Sequence, residues 1–235
     1  GITIPGDVFN LFVFLEISSL SSYVMISLGR DRRALTAAYR YLIMGTIGAT
    51  FYIIGVGLMY MMTGTLNMAD LATLMPTIAN TRVIQAALAF LTVGICLKLA
   101  LFPLHLWLPN AYTYAPSVVT AFLAATATKV AVYILIRIIF TVFGAVNVFQ
   151  VLDLQNILMA LSIIAMFAAS GIAIYQDNIK RLFAYSSIAQ IGYIVLGLSF
   201  ASEIGMAAGI IHLFNHAIMK CAIFMGLGCI ALREG

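Results

Sequence analysis

Four ionisable side chains lie inside stretches that are otherwise apolar enough for lipid: Glu16 in VFNLFVFLEISSLSSY, Lys98 in LTVGICLKLALF, Lys129 in TATKVAVYILIR and Lys220 in HLFNHAIMK. A charged group at the centre of a membrane helix costs ~2.5–3.5 kcal/mol on insertion scales if it meets lipid, so each is expected in a bundle interior, paired or hydrated. A carboxylate and a lysine in that setting suit proton transfer, because the state of either one controls the proton on the other. His212, His216 and Lys220 follow one another at intervals of four, which on a helix makes one stripe roughly 12 Å long. Histidine titrates near neutrality, so such a stripe can pass protons through intervening water. His105 is a further candidate, either linking Lys98 to Lys129 through water or anchoring the chain at an interface with Trp107. A plainer account exists for each residue: snorkelling or a static ion pair for the lysines, a helix-packing clamp beside SSLSSY for Glu16, packed polar rings for the histidines. Four such residues together are harder to explain that way, because each must be desolvated or paired. The histidine pair lacks the extra donors of a metal site, and no redox ligand set is visible, so no metal and no cofactor are expected.

The elements that must position these residues follow from composition. Of 235 residues, 63% are hydrophobic and only 9% charged, and the mean hydropathy is +1.09. A soluble domain carries about 25% charged residues, so a water-soluble globule is excluded and the bilayer becomes the solvent. Continuous apolar runs fall near 7–28, 37–62, 82–112, 116–140, 154–175, 183–200 and 204–230. Their length favours helices over the short alternating strands of a barrel, giving an all-α, polytopic transmembrane bundle of seven spans. Pro103 and Pro109 should break the third span near Phe102 and let it continue as a shorter half-helix. Pro116 suits the first turn of the fourth helix, and TGTLNMADLATLMP after the second span has room for a short interfacial turn of helix.

Charge sets the topology. Arg30, Arg32, Arg33, Arg40, Lys180, Arg181 and Arg233 all fall on one side of a seven-span chain, whereas Arg82 and Arg137 fall near the other. The positive-inside rule makes the first side cytoplasmic, with Gly1 outside and Gly235 inside. The net charge of +4 forms no extended basic arm, so nucleic acid is not an expected partner. Asp7, Asp153 and Glu203 are expected near the outer boundary, and Asp177 with Lys180 and Arg181 in a cytoplasmic cap or contact. Cys96, Cys221 and Cys229 lie in apolar runs without CxxC spacing and read as buried thiols.

Five segments together carry a family resemblance: GDVFNLFVFLEISSLSSY, AAYRYLIMGTIGATFYIIG, KLALFPLHLWLPNAYTYAPSVVTAFLAATATKVAVYILIR, NIKRLFAYSSIAQIGYIVLG and HLFNHAIMKCAIF. Over nearly its whole length the chain resembles the antiporter-like membrane subunits shared by Mrp-type cation/proton antiporters, membrane-bound hydrogenases and respiratory complex I, with GDVFNLFVFLEI and PNAYTYAP looking most like the D-type subunit of the Mrp antiporters. The resemblance implies that Glu16 pairs with Lys98, that Lys129 continues a hydrated path toward the helix of His212, His216 and Lys220, and that residues 1–235 form one partial proton-translocating domain. It also implies a fold of about fourteen helices in two inverted repeats, of which this chain looks like the fifth through eleventh. The implied setting is a multi-pass subunit in the cell's cytoplasmic (inner) membrane, with other membrane subunits as partners and protons, with sodium as a further candidate, as cargo. Two positions depart from the family pattern. Arg40 replaces a common lysine and keeps its positive charge for an ion pair without being able to release a proton, and Asn110 removes a carboxylate expected near the outer end of the broken helix.

Overall fold

The computed structural model describes residues 1–151 and 154–234; Asp153, expected near the outer boundary, lies outside them. Among the described residues nine α-helices follow in order: α1 (Val8–Ser27), α2 (Arg33–Thr63), α3 (Met68–Ile78), α4 (Arg82–Leu99), α5 (Leu108–Tyr114), α6 (Ser117–Ile136), α7 (Leu154–Ile174), α8 (Ile179–Ser199) and α9 (Glu203–Glu234). Two π-helical stretches, Arg137–Phe143 and Asn147–Val151, prolong and follow α6. Among the described residues seven helices are long and apolar enough to cross a membrane, including α6 with its extension as Ser117–Phe143. These match the seven runs read from the sequence. The chain is a multi-pass membrane protein.

Polar residues survive in these spans because their bonds close locally. In α1 the hydroxyls of Ser19, Ser21 and Ser22 donate to carbonyls four residues earlier, at 2.9, 2.9 and 2.8 Å. Asp7 caps the same helix by accepting from the Phe9 and Asn10 N–H groups. The segment after α2 is a full helix of 11 residues rather than a single turn. It is tied to the start of α1 by Val8 N–H to Leu66 O at 3.0 Å and Met68 N–H to Gly6 O at 2.8 Å.

Close approach of α2 and α4 depends on Gly48 and Gly94. A Cβ on Gly94 would meet the Gly48 carbonyl at 2.7 Å, so a larger residue would drive the helices apart. That contact lies one turn before Lys98 and fixes how far α4 stands from its neighbours.

The two membrane faces separate as the charges require. Arg30, Arg33, Lys180 and Arg181 line one cavity of about 1170 Å³ together with Tyr114 and Leu232, which gathers the first loop, the α5–α6 and α7–α8 turns and the end of α9 on one side. On the other, Arg137 donates to Thr3 O at 3.4 Å and to the Tyr133 hydroxyl at 3.0 Å. Several local expectations change. Asn110 sits in α5, which ends on the arginine-rich side, because the broken span runs from Arg82 toward the Arg30 loop; it is not at an outer end. Arg40 is exposed and forms no ion pair among the described residues. The N-cap of α8 is Asn178, accepting from Arg181 N–H at 3.1 Å, while Asp177, Lys180 and Arg181 line the arginine-rich cavity together. Of the cysteines only Cys96 is buried; Cys221 is half-buried and Cys229 exposed, since α9 turns that flank away from the bundle.

Candidate functional site

The break in the third span places Lys98. Helix α4 ends at Leu99, and Ala100 takes a left-handed conformation at φ 61°. That conformation costs a non-glycine residue about 1–2 kcal/mol, and it closes the helix by Leu101 N–H to Cys96 O at 3.1 Å. Pro103 lacks the N–H a continuing helix would need. Pro109, by contrast, starts α5, where its missing donor is harmless. Trp107 replaces one lost backbone bond, its indole N–H donating to Leu97 O at 2.9 Å. Its ring stacks on Tyr41 at 4.0 Å, and Tyr41 meets Tyr23 edge-on at 4.6 Å. Trp107 is therefore buried in the aromatic packing of the break and is no interfacial anchor.

Ending α4 at this level puts an ammonium against a helix C-terminus, where a cation is favoured. Lys98 Nζ donates to Glu16 Oε1 at 2.7 Å and to Ser19 Oγ at 2.7 Å. It is the one ion pair among the described residues, with the lysine side chain 7% and the glutamate 24% exposed. A groove of about 400 Å³ between α1 and α6 reaches Lys98 past Ser18, Ser19 and Ser22, and has Gly1 to Thr3 in its lining at the opposite end.

Lys129 has a different environment. It is buried in α6 and donates to the Ala124 carbonyl and to Thr128 Oγ1, the latter at 3.3 Å. Among the described residues no carboxylate pairs with it. Helix α9 packs on α6, and the charges of Lys129 and Lys220 act on one another and on His216. Lys220 donates to Phe183 O and Ser186 Oγ, both at 3.0 Å, and lies 5.3 Å from the Phe183 ring centroid. His212 and His216 lie parallel with centroids 6.3 Å apart. His212 Nε2 is 2.6 Å from Gln190 Oε1. His216 is fully buried, and among the described residues neither ring nitrogen has a hydrogen-bond partner.

The structure thus brings Glu16 and Lys98 into contact and gathers Lys129, His212, His216 and Lys220 at the meeting of α6, α8 and α9. His105 joins neither group by a direct bond. It is buried, stacked on Phe102 at 5.0 Å and edge-on to Tyr185 at 6.2 Å, with Nδ1 unpartnered, so it is not at a membrane interface. Ser19, Thr128, Ser186 and Gln190 were not singled out from sequence. Ser186 and Gln190, four apart on α8, carried a usable signal; Ser19 and Thr128 did not. Among the described residues no three His, Cys, Asp or Glu side chains converge in a metal-sized group.

Seven spans, one of them broken, with a carboxylate, three lysines and two histidines held inside the bundle, define an antiporter-like membrane protein. The chain belongs to the family described as NADH:quinone oxidoreductase/Mrp antiporter, transmembrane, whose profile matches residues 5–235. It is 45% identical over 241 residues to the N-type subunit of the NADH-quinone oxidoreductase of Desulforudis audaxviator, covering 100% of this chain and 46% of that protein. With the D-type subunit of the Na(+)/H(+) antiporter of Alkalihalophilus pseudofirmus it shares 33% identity over 228 residues, covering 97% and 45%. Identity is thus higher with the oxidoreductase protein than with the antiporter protein that the opening motif resembles. A chain of the membrane-bound sulfane sulfur reductase, an archaeal respiratory membrane complex, superposes with a TM-score of 0.89 at 39% identity, covering 98% of this chain and 46% of that one. The chain spans about half the length of the relatives it matches.

Proposed function

We propose that these residues form the proton-translocating core of a membrane subunit in a multisubunit respiratory complex of the complex I or hydrogenase type. The observation that carries the reading is the Glu16–Lys98 pair, its lysine lining the α1–α6 groove, with Lys129 and the His212, His216, Lys220 stripe gathered in the bundle. A groove that reaches Lys98 supplies an access point, and the inner cluster supplies groups that can hold a proton in turn. Glu16 and Lys98 act as the gate, Lys129 takes the proton into the bundle, and the α9 stripe passes it on. His105, buried between the break and α8, joins the break to this path through water. The subunit sits in the cytoplasmic (inner) membrane with the Arg30–Lys180 face inward, as its charge asymmetry directs. Other membrane subunits are its partners. Lys98→Ala in the intact assembly is expected to abolish proton-coupled transport across pH with assembly preserved. Unchanged transport sinks the assignment, and loss of assembly together with activity points to a scaffold.

The 45% identity to the oxidoreductase protein favours the respiratory setting. An Mrp-type sodium/proton antiporter is the second reading, supported by 33% identity to the Na(+)/H(+) antiporter protein over 97% of this chain. Genes for iron–sulfur and quinone-site proteins beside this one favour the first; a compact antiporter operon favours the second.

A further inference from the structure

Helix α8 meets the α9 stripe with a polar face of its own. Phe183, Ser186 and Gln190 recur at helical spacing, and the two helices run antiparallel, so that Ser186 reaches Lys220 while Gln190 reaches His212. A Cβ on Gly205 would come within hydrogen-bond distance of the Gly197 carbonyl, so this pair keeps the helices close beyond these contacts. Tyr193 of α8 lies edge-on to His212 at 6.1 Å. The charged and titratable groups facing His212 are therefore Tyr193 from α8, Lys129 from α6 and His216 on its own helix. None of them is a carboxylate, which leaves Gln190 as its nearest polar partner at 2.6 Å.

We infer that Gln190 is a positioning residue of the proton path, its amide oxygen fixing which ring nitrogen of His212 carries the proton. This rests on the proton-translocating reading above. With the Gln190 oxygen turned toward the ring, neutral His212 must carry its hydrogen on Nε2, which leaves the Nδ1 lone pair to accept a proton. The imidazolium so formed still donates from Nε2 to the same oxygen, so Gln190 serves both states without moving. The reversed amide would need a lone pair on Nε2 and would lose its bond on protonation. Ser186 has the matching property at Lys220, since a hydroxyl accepts from an ammonium and donates to an amine. Helix α8 is thereby the element that keeps the α9 stripe aligned while its charge changes.

The test uses the full-length protein in its assembled complex, reconstituted into proteoliposomes, with proton-coupled transport followed against pH. Gln190→Leu keeps the volume and removes the acceptor; it should slow transport about tenfold with assembly unchanged. Gln190→Glu restores an acceptor and adds a charge that favours the imidazolium, so the rate should recover and the pH profile should move to higher pH by about one unit or more. A purely structural role moves neither the profile nor the balance between the two variants. A Gln190→Leu protein at the wild-type rate, or a Gln190→Glu profile superimposable on wild type, overturns the inference. His212→Ala separates the two levels: if it is slow while the Gln190 variants match wild type, this inference alone falls, and if it transports normally the proton path through His212 falls with it.

Discussion

Lys98 and Lys129 are both buried lysines in one bundle, yet they are held by opposite means. Lys98 has a carboxylate at 2.7 Å, a hydroxyl at 2.7 Å and a helix C-terminus. Lys129 has a backbone carbonyl and a threonine hydroxyl, with a second lysine acting on it from α9. The first arrangement balances charge, so the pair persists as an ion pair until one member is neutralised. The second offers only neutral acceptors, so a cation there depends on what its neighbours carry. A membrane protein that must move a charge without leaving it stranded needs both kinds of site in sequence, which is what the proposed series would supply.

Substitutions that treat the two lysines alike should give unlike results. The largest effect is expected from Glu16→Leu, which strands Lys98 as an uncompensated cation and should destabilise the protein by about 3–5 kcal/mol. Removing both partners in Glu16→Leu/Lys98→Met should recover most of that loss while transport stays absent; thermal unfolding of the assembled complex in detergent reads both. Trp107→Phe keeps the stack on Tyr41 but drops the bond to Leu97 O, and should lower stability by about 1 kcal/mol on the Lys98 side. Lys129→Met should change stability by less than about 1 kcal/mol, since no counter-charge is left behind. A drop as large as that of Glu16→Leu would reveal a carboxylate partner for Lys129 and erase the contrast. The smallest effect should come from Ala100→Gly, which relieves the left-handed conformation at the end of α4 and should raise the unfolding midpoint slightly, by roughly 0.5 kcal/mol of stability.

The seven spans were legible in the sequence because lipid imposes a long apolar run on every crossing, and the break at Pro103 because proline's missing donor is a local property. Burial of Glu16, Lys98, Lys129 and Lys220 inside the bundle could be anticipated from cost alone. The partnership of residues 16 and 98 could be anticipated from the cost of burying each alone and was reinforced by the family resemblance, although nothing local joins positions 82 residues apart. What escaped were contacts decided by which helix face meets which. Trp107 looked like an interface residue because of its type, but its N–H is used to finish α4. Cys229 lies in an apolar run yet faces outward, because in a membrane protein an apolar residue is as content against lipid as in the core. Gln190 went unremarked although it recurs four residues after Ser186 on α8, since the residues that give this spacing its meaning, Lys220 and His212, lie on another helix.

Lys129 is the residue whose replacement separates proton carriage from folding, because it leaves no counter-charge stranded. Proton-coupled transport should be measured in proteoliposomes holding the complete assembly with Lys129→Met, beside wild type at equal protein. A fall of at least about tenfold is expected, with assembly and unfolding midpoint unchanged. Transport at the wild-type rate in that variant would contradict it.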